Sequence, residues 1–204
     1  MKKKSLLLFF LLSNLTIFCQ NQIKDAVVTY QISACKKPQN VILTKFNDST
    51  YSGIIVYSGY KYKGKYSFES SFHKNFREIN SLGEKISDTL QIENKKAEVL
   101  FKLLKENGIE DLKKEELVYQ YNSKTKSLDL ILFPDPCTTS FIIKTKEKEI
   151  NTYFEDIEVI IENKDINAPI INKERVKAQR LYSILNKEIN LIKNWEDYQK
   201  GLKK

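Results

Sequence analysis

Arginine, histidine, cysteine and glycine are all scarce in these 204 residues, and each scarcity removes a class of function. Arginine occurs only at Arg77, Arg175 and Arg180, whereas phosphate and base-edge recognition favours the guanidinium fork. No nucleic-acid partner is expected. The formal charge of +8 is a lysine excess; with Lys2, Lys3 and Lys4 assigned to a leader it falls to +5, and the Lys, Asn and Ile bias fits an AT-rich coding genome. His73 is the single histidine, and with three cysteines the chain is too poor in soft ligands for a zinc site. A Ser-His-Asp machine would rest on His73 alone, and no Gly-x-Ser-x-Gly elbow is present. Six glycines and no phosphate-cradling loop leave nucleotide chemistry without its usual backbone device. No cofactor and no metal are expected.

Long apolar runs are missing too, except at the start. Met1 to Lys4 is a positive n-region and Ser5 to Cys19 an apolar stretch too short to span a bilayer, which together read as a signal peptide over residues 1–19. Acylation of Cys19 is the competing reading, opposed by the bulky Phe18 just before it. After Gln20 no transmembrane span is expected, so the chain is placed in an exported compartment, periplasmic or secreted, or held by a lipid anchor at Cys19. That setting permits disulfides. Cys19 is lost or capped in either case, and the two remaining thiols, Cys35 and Cys137, are expected to pair.

What remains has a globular composition, with 41% apolar and 29% charged residues. Residues 20–204 are long enough for one core and are expected to form a single domain. Alternating apolar residues predict strands over Ala26 to Ser33, Val41 to Phe46 and Tyr51 to Tyr57, with a tyrosine-rich continuation to Phe68. Phe68 to Leu82 leans towards a short helix. Ala97, Leu100, Phe101 and Leu104 predict an amphipathic helix over Lys95 to Asn107, with Asn94 as its cap and Gly108 as its left-handed stop. Strands are predicted over Leu117 to Tyr121, Leu128 to Phe133, Ser140 to Lys144 and Glu149 to Phe154, and a further one within Ile157 to Glu162. The stripe Ala178, Leu181, Leu185, Ile189, Ile192, Trp195 predicts one long helix from Lys173 to Tyr198. The expected class is α+β: a mostly antiparallel sheet with a central amphipathic helix and a long C-terminal helix packed on it. In layout alone the helix at Lys95 to Asn107 with the strands that follow it, the middle of the chain, resembles small inhibitor-type and peptidase-propeptide-type modules of bacterial envelopes; no diagnostic residue supports the likeness, and no site is carried over from it.

Two kinds of functional residue are left. Tyr57, Tyr60, Tyr62 and Tyr66 interleave with lysines, and tyrosine faces stack on sugars or other rings while lysines meet anions, so this hairpin is the first candidate for a binding surface. The alternative is that the tyrosines cover the edge of the core while the lysines blunt a sheet edge. Carboxylates are the other currency: Asp129, Asp135, Glu155 and Asp156 are conceivable acids for a two-carboxylate hydrolase acting on a cell-wall or extracellular polymer. Asp129 alternates with Leu128 and Leu130 as the wet side of a strand, and Asp135 lies in the stiff turn Pro134-Asp135-Pro136 before Cys137, a loop that could itself present a surface. The sequence therefore favours an exported, disulfide-stabilised, non-enzymatic domain of the bacterial cell envelope that binds a protein or glycan, with the hydrolase as the alternative.

Overall fold

The computed structural model describes residues 26–34, 39–68, 82–115, 117–122, 124–132, 137–157 and 172–202. The leader, Cys19, Cys35, His73, Asp135, almost all of the helix expected over Phe68 to Leu82 and all but the first residue of the strand expected after Ile157 lie outside them. In chain order the elements are β1 (Ala26–Ala34), β2 (Gln39–Phe46), β3 (Tyr51–Tyr62), β4 (Lys65–Phe68), β5 (Glu84–Ile92), α1 (Asn94–Glu106), a 3-10 turn (Ile109–Asp111), β6 (Tyr119–Asn122), β7 (Ser127–Leu130), β8 (Thr138–Thr145), β9 (Glu149–Glu155), α2 (Lys173–Ile189) and α3 (Leu191–Leu202).

Seven strands form one antiparallel sheet. β1, β2 and β3 make a meander, β8 and β9 add beyond β1, and β5 pairs with Gly53–Lys61 of β3. β5 takes the whole of that edge of β3, so β2 and β4 share the other edge, β2 beside residues 51–57 and β4 beside residues 59–62. The sheet therefore runs from β5 at one margin to β9 at the other. The β3–β4 hairpin turns at Lys63-Gly64, where both residues have positive φ (47° and 73°), the geometry that matches strand twist in a two-residue turn.

One face of the sheet carries the core. Tyr30 and Ile32, Val41 and Leu43, Ile55 and Tyr57, Phe141 and Ile143, and Phe154 alternate with residues that stay partly exposed, as the period of two requires. α1 lies on this face through Ala97, Leu100, Phe101 and Leu104. Its approach is close at Gly53, where an added Cβ would meet the Cβ of Ala97 and that of Ile92 at 3.1 Å each, so a glycine there lets the helix settle onto β3. Phe101 stacks on Tyr30 with ring centroids 4.2 Å apart. Burying Leu100, Phe101 and Leu104 contributes about 1.5–3 kcal/mol each. α2 adds Ala178, Leu181, Tyr182, Leu185 and Ile189 to the same core.

Three expectations are corrected. Asn94 does not cap α1: Glu93 holds the N-cap position without a side-chain hydrogen bond, because Ile92 must still reach the core opposite Gly53 and the chain turns over immediately after it. The C-terminal helix is two helices. Asn190 takes a left-handed conformation (φ 46°), and its side-chain oxygen accepts the Lys193 N–H while Asn194 Nδ2 donates back to the Ile189 carbonyl. Buried Gln39 donates from Nε2 to the Leu191 carbonyl at 3.0 Å, tying the break to the sheet. Lastly, β6 and β7 do not join the main sheet; they form a separate two-stranded arm whose residues are mostly exposed. The stop of α1 is as expected: Gly108 has φ 80°, its N–H donates to the Lys105 carbonyl, and Ile109 folds back into the core.

Candidate functional site

Strand alternation divides the four tyrosines of the hairpin between two faces, so they do not form one surface. Tyr57 points into the core at 2% exposure, its ring stacked on Tyr198 of α3 at 4.2 Å and 6.0 Å from Trp195. Tyr66, opposite Lys61, lies half-buried on that same face, with the Lys61 ammonium 5.3 Å from its ring centroid. Tyr60 and Tyr62 are turned to the other face, where Lys63 lies 4.8 Å over the Tyr62 ring. α3 closes the end of the sheet over Tyr57, and Tyr198 donates its hydroxyl to Asp88 of β5 at 2.6 Å. Burial, then the hydrogen bond to Asp88, holds the Tyr198 phenol above the usual tyrosine range; burial, then the charge of Asp197, does the same for Tyr57.

The acids named from sequence also separate. Asp129 lies exposed on the arm, accepting hydrogen bonds from Asn122 Nδ2 at 2.9 Å and the Ser127 hydroxyl at 3.2 Å. Asp156 occupies a left-handed turn (φ 41°) whose N–H donates to the Cys137 carbonyl. Glu155 lines a concavity.

That concavity is a groove of about 500 Å³ between the arm and β9, lined by Lys114, Glu115, Leu117, Val118, Leu130, Ile131, Leu132, Tyr153 and Glu155. It gathers four of the exposed large apolar side chains of the described residues, Leu117, Leu130, Leu132 and Tyr153, with Leu132 at 79% exposure. Tyr153 and Glu155 are here because they are the outward members of an edge strand whose inward members, Thr152 and Phe154, are buried.

The first turn of α2 holds the arm in place. The Asn172 side chain pairs with the backbone of Tyr119 in both senses, accepting its N–H at 3.1 Å and donating to its carbonyl at 2.6 Å. Glu174 accepts the Lys113 N–H at 2.9 Å. Arg175, 1% exposed, donates from Nε and Nη2 to the two carboxylate oxygens of Glu115 at 2.9 Å each, and from Nη1 and Nη2 to the carbonyls of Asp156 at 3.2 Å and Glu155 at 2.7 Å. One guanidinium thus links both walls of the groove, in the bidentate geometry that arginine provides and lysine does not. Both oxygens of Glu115 are taken by this clamp. Among the described residues no group of three or more His, Cys, Asp or Glu is arranged to hold a metal ion.

Sequence reasoning passed over Arg175, Glu115, Lys114 and the leucines of the groove. One signal was present: Arg175 stands three residues before Ala178, in line with the apolar stripe of α2, where a charged residue needs a buried partner. β1 ends one residue before Cys35 and β8 begins one residue after Cys137, with Ser33 paired to Ser140 across the two strands.

Searched against protein-family models, curated proteins and solved structures, the chain matches none of them.

Proposed function

We propose that this chain is an exported, disulfide-stabilised, non-enzymatic domain of the bacterial cell envelope that binds a segment of a partner protein in the groove between the arm and β9. The observation that carries this reading is the convergence of Leu117, Leu130, Leu132 and Tyr153 on one concavity whose walls are fixed by the buried Arg175 clamp. Exposed leucines cost free energy in water, and a contiguous apolar cluster in a rigid frame is the arrangement that a protein partner covers. Three leucines beside one ring favour a peptide over a glycan, which calls for more aromatic faces and hydrogen-bonding groups. The hydrolase alternative is weaker because Glu115, the second carboxylate in the groove, has both oxygens engaged by Arg175. Export rests on the leader. No helix of the described residues is long and apolar enough to cross a membrane. Pairing of Cys35 with Cys137 is supported by the adjacent strand ends; alkylation without reduction would add no mass to the mature protein, and labelling of both cysteines would overturn the pairing.

Site-specific photocrosslinking in the native host tests the groove. A probe at Leu132 is expected to give an adduct of discrete mass that a probe at Val99, exposed on α1, does not give. Equal adducts from both positions, or none from Leu132, would contradict the proposal.

A further inference from the structure

We infer that the segment seated in the groove carries a basic side chain between apolar ones, its cation lying on the Tyr153 ring and against the Glu155 carboxylate. The inference rests on the binding groove proposed above and specifies the chemistry of its occupant. Three observations converge. The Tyr153 ring already holds a cation: the Lys114 ammonium lies 5.3 Å from its centroid, inside the range in which a ring face attracts positive charge. Glu155 lines the same groove, and no ion pair to its carboxylate occurs among the described residues. Glu115 is neutralised by Arg175, so Glu155 is the anion of the groove that remains to be matched. Around these two groups stand Leu117, Leu130 and Leu132, which would accept the flanking apolar side chains.

Lys114 acts in this arrangement as a stand-in for the ligand. It is exposed, and it sits in the irregular stretch between the 3-10 turn and β6, where its flexible side chain can swing into water once a partner's cation takes the ring. An arginine is the better occupant, because its planar guanidinium stacks on the ring while pairing with a carboxylate beside it. Removing Lys114 should therefore raise affinity, since a competitor for the ring is lost, and removing the charge of Glu155 should lower it.

The test is a titration of the isotope-labelled mature protein, followed by NMR, with two blocked pentapeptides of sequence Gly-Leu-Arg-Leu-Gly and Gly-Leu-Glu-Leu-Gly. The arginine peptide is expected to shift Tyr153 and Leu132 and to bind about tenfold more tightly than the glutamate peptide. Glu155→Gln should weaken the arginine peptide by about three- to fivefold, and Lys114→Met should strengthen it by a similar factor, the size of an exposed cation–π contact. Equal or tighter binding of the glutamate peptide, weaker binding in Lys114→Met, or no shift with either peptide would overturn the inference. Failure here with a persisting Leu132 adduct in the host leaves the binding groove standing and rejects only the basic occupant, whereas loss of the adduct rejects the groove itself.

Discussion

The two margins of the sheet are built from similar side chains and treat them in opposite ways. At the β5 margin, tyrosines, lysines and Asp88 are grouped around the β3–β4 hairpin, and α3 lays Trp195 and Tyr198 across Tyr57 so that the rings satisfy one another. At the β9 margin, Tyr153, Lys114 and Glu155 are grouped with three leucines, and the arm stops short of covering them. Composition does not separate the two regions. What separates them is whether a later element closes over the rings. The break at Asn190 redirects the chain so that α3 does so at one end, while the Arg175 clamp holds the arm in place beside the groove at the other.

The largest effects are expected where each margin depends on a buried group. Arg175→Met removes the partner of Glu115, which is itself largely buried, and should cost about 3–5 kcal/mol in a urea melt, because a buried carboxylate is left unpaired. Glu115→Gln leaves the guanidinium of Arg175, the more deeply buried of the two, without its counter-charge and should cost a comparable amount; a loss below about 1 kcal/mol for either variant would mean that the pair is not the clamp. Trp195→Ala empties the packing over Tyr57 and should cost about 3–5 kcal/mol in the same assay. A loss below 1 kcal/mol would show that α3 is not a fixed cover.

A smaller effect comes from pH, and its sign follows from the raised phenols at the sealed margin. Tyr57 and Tyr198 keep their protons in the folded chain above the ordinary tyrosine value of about 10. The unfolded chain therefore releases them first, so stability is complete below about pH 10 and falls as pH rises through that value towards the higher folded ones. Tyr198→Phe should flatten this alkaline decline, and an unchanged slope would contradict the burial described. The smallest effect is expected in the groove. Leu132→Ser should change stability by less than about 0.5 kcal/mol, since the side chain is largely exposed. A destabilisation comparable to that of Trp195→Ala would mean that the leucine belongs to the fold and not to a partner.

The sequence carried the layers of this fold better than its margins. The meander, α1 and the core stripe of α2 were legible because their apolar residues repeat at the period of the element that buries them. β5 was not, because the strand Glu84–Ile92 keeps only Ile92 buried and so shows little alternation. The helix break escaped because Leu191 and Trp195 continue an apolar pattern across Asn190, and a single residue with positive φ leaves that pattern almost unchanged. Tyrosines were visible as a group, yet alternation at Tyr57 and Tyr60 sends them to opposite faces and only the tertiary fold shows which face α3 covers. The groove was invisible for a related reason. Its walls come from Lys114, Glu115, Leu117 and Val118, from residues 130–132, and from Tyr153 and Glu155, stretches that no local pattern joins; a lone arginine in line with the stripe of α2 was their one outward sign.

Hydroxyl-radical footprinting of the protein, purified and in its native host, tests the contrast between the two margins most directly. In isolation Leu132 and Tyr153 should be oxidised rapidly and Tyr57 spared; in the host Leu132 and Tyr153 should become protected while Tyr57 stays unreactive. Oxidation of Tyr57 at the rate of Tyr153, or full reactivity of the groove residues in the host, would contradict the account.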